Sequence, residues 1–164
     1  MRFLNLAVIL GLIAVPAFAG DHDLPDGSQT PGAVRTADAG EVCNPRHRTK
    51  DVRHVSEGLK RRVFEAYGLP EGNHSGYCDT SPEGCEIDHL ISLELGGSND
   101  IENLWPQTYD RAERWNAHVK DRLENELHRR VCSGRMALEE AQAMIAKDWV
   151  CAYRALLGEP QAKD

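Results

Sequence analysis

The chain has 164 residues, with 26 acidic against 19 basic side chains and a formal net charge of -7. That length gives one domain with a real core rather than two, and that charge argues against a tight general electrostatic grip on nucleic acid. A nucleic-acid enzyme remains open, because weak general binding helps turnover and a local basic face can do the docking.

In chain order, the first element is a basic residue, Arg2, then an apolar run from Phe3 to Val15, then "PAFAG". This reads as a secretory signal peptide over 1–19, cut after Ala19; the run falls short of the ~20 residues that a membrane anchor needs. The rest is then a secreted or periplasmic chain without a membrane partner. Residues 20–42 are rich in Gly, Pro, Asp and Thr, show no apolar period, and predict a flexible arm. "RHRTKDVRH", residues 46–54, with Lys60, Arg61 and Arg62 beyond it, is a candidate basic docking face, or equally a solvated helix surface.

Val55, Leu59, Val63, Phe64 and Tyr67 recur at helical spacing between a capping Ser56 and a terminating Gly68, which predicts a helix over 57–67. Residues 68–84 form a loop by composition. Ile87, His89, Ile91, Leu93 and Leu95 then alternate as in a half-buried strand. Gly96 and Gly97 turn the chain, Ile101 to Trp105 return, and Pro106 ends the pairing. Trp115, Val119, Leu123, Leu127 and Val131 predict a helix over about 112–131. Leu138, Ala141, Ile145, Trp149 and Ala152 predict a last one over about 137–156, which leaves 159–164 as a tail.

The five cysteines leave one unpaired. Cys78 and Cys85 bracket a turn-rich stretch and suit a local bridge. Cys43 with Cys132 would leave Cys151 free; Cys132 with Cys151 is the competing arrangement. No C-x2-C pair points to zinc.

Polar residues gather on the hairpin and the helix after it. Phosphodiester hydrolysis needs a base for water, a cation for the phosphate and groups that hold both. His89 can be the base, and Asp88 is a hard oxygen donor suited to Mg²⁺, with Mn²⁺ as the second choice. Asn103 can accept the imidazole N–H through its side chain or its backbone carbonyl and so orient the ring. Asn116, Lys120 and Glu124 share one helix face. There Asn116 is a second metal ligand, Lys120 a phosphate contact, and Glu124 a group that tunes the metal through water or Lys120. Each piece also has a plain structural reading: a hydrogen-bonded strand pair, a turn-forming Asn, a solvated helix face. Adjacent strand residues point to opposite faces, so Asp88 and His89 can share a pocket only where the strand bends or ends.

"IDHLISLELGGSNDIENLW" resembles the HNH endonuclease signature, and "NLWPQ", "KDRLENELH", "VCSG" and "AQAMIAKDW" extend the likeness to small secreted bacterial HNH proteins over about Cys43 to Tyr153. The resemblance implies a mostly helical α+β fold. A ββα-metal finger over about 85–127 would lie inside a single domain of 43–158, with an N-terminal and a C-terminal helix packed around it. It also implies a monomeric, metal-dependent endonuclease of low sequence specificity acting on DNA, or else on RNA. By position Asp88 resembles the metal acid, His89 the general base, Asn103 the residue orienting it, and Asn116 the helix ligand. The gap from Asn103 to Asn116 is longer than the common pattern, which makes His118 the rival ligand. The alternative function is a non-catalytic secreted binding or structural protein that keeps the finger as scaffold.

Overall fold

The computed structural model describes residues 24–69, 84–109 and 114–160. Three helices precede the hairpin: α1 (Ala39–Val42), α2 (Thr49–Val52) and α3 (Glu57–Ala66). The first two are single turns that carry no apolar period to foretell them. Helix α3 starts where expected, with the Ser56 hydroxyl accepting Leu59 N–H at 3.2 Å.

Strands β1 (Cys85–His89) and β2 (Leu104–Thr108) pair antiparallel, from Cys85 opposite Thr108 to His89 opposite Leu104. The expected first strand is therefore cut short. Beyond His89 the chain bends at Leu90 and Ile91 and forms two 3₁₀ turns, Leu93–Leu95 and Ile101–Asn103. The alternation of Ile91, Leu93 and Leu95 reflects burial of this compact loop, not strand pairing. Pro106 does not stop the pairing either; it sits inside β2 opposite Ile87. In a two-stranded sheet each strand keeps an open edge, where a residue without an N–H is tolerated.

The Asn103 side chain closes the loop. Its amide oxygen accepts Ile91 N–H at 2.9 Å, and its amide nitrogen donates to the carbonyls of Ile91 and Ser98, each at 2.9 Å. Gly97 lies against the same turn. A Cβ there would stand 2.7 Å from the Ile91 carbonyl carbon and 2.9 Å from the Asn103 amide nitrogen. Both neighbours are held by hydrogen bonds and cannot yield. Gly97→Ala is expected to lower stability by about 2–4 kcal/mol, read as a drop in urea midpoint at unchanged m; a midpoint within error of wild type would contradict this packing.

Helix α4 (Ala117–Cys132) begins later than its apolar stripe suggests, because Asn116 caps it, accepting Val119 N–H at 3.1 Å. Helix α5 (Leu138–Leu157) packs along α4 and is interrupted at Asp148, whose backbone is extended. All five stripe residues of each helix are buried, as the sequence predicts. Trp115 meets Trp149 edge-on at 5.7 Å between ring centres, which fixes the two helices against each other.

The segment read as a flexible arm is instead bound over its described part. Arg35 N–H donates to Gly96 O at 2.7 Å, Ser98 N–H to Ala33 O at 3.0 Å, and the buried Thr30 hydroxyl to Leu104 O at 2.9 Å. Its ordering comes from backbone bonds to the hairpin loop, which composition does not record. The class is α+β and mostly helical.

Cys43 and Cys132 form a disulfide with Cα atoms 5.3 Å apart, and Cys151 is free and exposed, as in the first of the two arrangements. Cys85 is also disulfide-bonded; Cys78 lies outside the described residues, as does the 1–19 segment. Among the described residues no helix is long and apolar enough to cross a membrane.

Candidate active site

Register decides which side each functional group takes. Glu86 and Asp88 are two apart in β1 and share a face, while His89 takes the opposite one. The strand ends at His89, as a shared pocket requires, although the pairing is regular up to that point.

On the first side lies Lys120, from the second turn of α4 and 1% exposed. Its Nζ donates to Asp88 Oδ2 at 2.6 Å, to the His89 carbonyl at 2.7 Å, and to Glu124 Oε1. An ammonium has three N–H donors, and all three are taken. Lys120 therefore cannot be the phosphate contact that its place on the helix suggested. It is a buried strut between β1 and α4. Burial works against its charge, but Asp88 and then Glu124 outweigh that and hold its pKa above the usual lysine value. The expected link of Glu124 to the site through Lys120 is present.

One ammonium does not balance the acids around it. Glu86 is pushed up to about 7, first by burial and then by the negative field of Asp88, with Asp121 adding to it. Asp121 is raised by burial and then by Asp88, and Glu124 by burial, against which Lys120 pulls it down while Asp88 adds a smaller push upward. Tyr109 donates its hydroxyl to Glu86, and its ring lies 5.3 Å from that of His118. Four carboxylates thus surround a single buried cation, an arrangement that favours a further positive charge.

On the other side, His89 is 2% exposed and burial is the main force holding its pKa below the ordinary histidine value. Its Nε2 lies 3.2 Å from Asn99 Oδ1, whereas its Nδ1 is buried with no hydrogen-bond partner. Asn99 Oδ1 can only accept, so Nε2 carries the proton and Nδ1 presents a lone pair. A base was foreseen here, but not its holder. The Asn103 side chain is taken by the loop, and its backbone carbonyl accepts Leu90 N–H at 2.8 Å. Asn99, which the sequence alone presents as one more turn residue, also accepts His54 N–H at 3.1 Å and donates to the Val52 carbonyl at 2.8 Å. Its one legible signal was its place two residues past the Gly-Gly turn.

Asn116 is buried, and its side-chain oxygen is engaged in capping α4, so the structure gives it a structural task where a metal ligand was expected. His118 lies on the acidic side, where its field reaches Asp121. Among the described residues one set of three Cys, His, Asp or Glu ligand atoms lies within 4.8 Å of one another: Cys43, His128 and Cys132. The disulfide takes both sulfurs, and His128 Nε2–H donates to Val42 O at 3.1 Å. That set is a covalent staple beside a histidine, not a metal centre. The acids of the β1–α4 site are spaced more widely, which suits a hard ion that keeps several waters and binds through one or two carboxylates.

No known protein family, curated protein or solved structure matches this chain.

Proposed function

We propose that the chain is an exported, divalent-metal-dependent HNH endonuclease that hydrolyses phosphodiester bonds in DNA with low sequence specificity. The observation that carries this reading is the buried, neutral His89, with Nε2–H fixed on Asn99 and Nδ1 unpartnered, one residue from the carboxylate of an acid-rich cluster. Nδ1 is the atom that takes a proton from water. The imidazolium that forms keeps its Nε2–H on Asn99, so the ring does not turn as it charges.

Asp88 would hold the ion through the oxygen that Lys120 leaves open, with Asp121 and Glu86 near enough in field to assist. A Mg²⁺ or Mn²⁺ ion there supplies positive charge to the phosphoryl oxygens. Export is supported by the signal-like 1–19 segment, and the Cys43–Cys132 bridge is compatible with an oxidising compartment. No base-reading element is visible in the hairpin, hence the low specificity.

One feature favours the non-catalytic alternative: Lys120 already occupies the space between Asp88 and Glu124. Digestion of matched single-stranded DNA, duplex DNA and RNA across Mg²⁺, Mn²⁺, Ca²⁺ and Zn²⁺ separates the two. The nuclease reading expects DNA cleavage with Mg²⁺ or Mn²⁺; intact substrate in every lane leaves the scaffold reading.

A further inference from the structure

With Lys120 enclosed, the phosphate of the proposed nuclease needs a different protein cation. Glu86, Asp88, Asp121 and Glu124 on the acidic side would repel a phosphodiester. The basic segment 46–54 is one source of such a cation, and the structure brings one of its residues to the site. Arg53 is the C-cap of α2 and exposed. Its charge acts on both His89 and Asp121, residues on the two sides of the candidate centre.

Arg53 is there because of Asn99. The amide of Asn99 donates to the carbonyl of Val52 and accepts the N–H of His54, the two residues that flank Arg53. The same Oδ1 also takes the Nε2–H of His89. One side chain therefore fixes the ring of the base and the turn that carries the arginine. Two other cations of the segment are placed differently: Arg48 pairs with Asp51, its Nε 2.7 Å from the carboxylate, and Lys50 lines a groove with Cys43 and His128.

We infer that Arg53 is the phosphate-binding cation of the site and that Asn99 is a positioning residue that locks Arg53 and His89 into one unit. The guanidinium fork presents paired N–H donors that match two non-bridging phosphate oxygens. This inference rests on the nuclease reading and sharpens it, because it replaces Lys120 by a named residue from outside the hairpin.

The test uses the full chain with Mg²⁺, a labelled DNA oligonucleotide, and ¹⁵N shifts of the His89 ring. Arg53→Ala is expected to raise KM about tenfold with kcat nearly unchanged, to reduce the salt slope by ~1, and to leave the ring spectrum as in wild type. Arg53→Lys should recover part of the KM, as a point charge without the fork. Asn99→Asp retains an acceptor for Nε2–H but loses the donor to Val52, so the ring should keep its tautomer while KM rises. Asn99→Leu should lose both, with mixed ring tautomers and a fall in kcat of about tenfold or more. Asn99→Asp serves as the reading should Asn99→Leu not fold. An Arg53→Ala enzyme with wild-type KM and salt slope overturns the role of Arg53, and an Asn99→Leu ring with the wild-type pattern overturns that of Asn99. If the wild-type chain cuts nothing, the nuclease reading fails by itself. The salt slope is then read from equilibrium binding of the same oligonucleotide; a slope equal in wild type and Arg53→Ala, or no binding, overturns the inference as well.

Discussion

His89→Ala is expected to abolish cleavage, with kcat down by a factor of roughly 10²–10⁴, in a protein that still folds. The physical ground is the state of the ring. Burial keeps it neutral, Asn99 holds the proton on Nε2, and the lone pair at Nδ1 meets no protein donor. Alanine removes that lone pair together with a buried ring, so a cost in stability of about 2–4 kcal/mol accompanies the loss of activity. Circular dichroism and urea melts on the same sample separate the two effects. A variant that keeps wild-type kcat would show that another group activates water.

Lys120→Met is expected to cost about 3–5 kcal/mol at neutral pH, since removing one partner of a buried ion pair leaves the others uncompensated. Methionine keeps most of the stem volume, so the loss reports the charge. Glu86, Asp88, Asp121 and Glu124 would then repel one another across β1 and α4 without the bridging ammonium.

The pH dependence follows from the direction of the shifts. A carboxyl whose folded pKa is raised, such as Glu86 at about 7 against its ordinary 4.5, is stabilising to the fold below 4.5 and loses that contribution as pH rises through 7. Lys120 itself, with a raised pKa, keeps its contribution throughout this window. The deficit of Lys120→Met should therefore be smallest near pH 4.5 and widen towards pH 8. Urea midpoints of wild type and variant across that range check it, and a deficit that is flat in pH or below about 1 kcal/mol would deny the strut its role.

The helices were legible because each has one apolar stripe and a clear stop: Leu138 to Ala152 and Val119 to Val131 could be placed from spacing alone. The hairpin was legible in position but not in form. Gly96 and Gly97 marked the turn, yet the 3₁₀ turns on either side depend on Asn103 reaching Ile91 and Ser98. Such bonds leave no period in the sequence. The roles of Asp88 and His89 as metal acid and base remain proposals, while the groups around them changed. Lys120 looked like a phosphate contact and is a buried strut. Asn116 looked like a ligand and caps a helix. Asn99 was not singled out in the sequence and holds the imidazole. For Lys120 and Asn99 the deciding contact links residues far apart in the chain, 32 for Lys120 with Asp88 and 47 for Asn99 with Val52, whereas the Asn116 cap on Val119 is local.

The central claim is that this chain breaks phosphodiester bonds with a divalent ion and His89. Its most direct measurement is a time course of supercoiled plasmid with the purified chain and Mg²⁺, run beside the same reaction in excess chelator. Relaxed circles that accumulate with Mg²⁺, stop on chelation and do not form with His89→Ala are the predicted result; plasmid that stays supercoiled under folded wild-type protein with Mg²⁺ and with Mn²⁺ would contradict it.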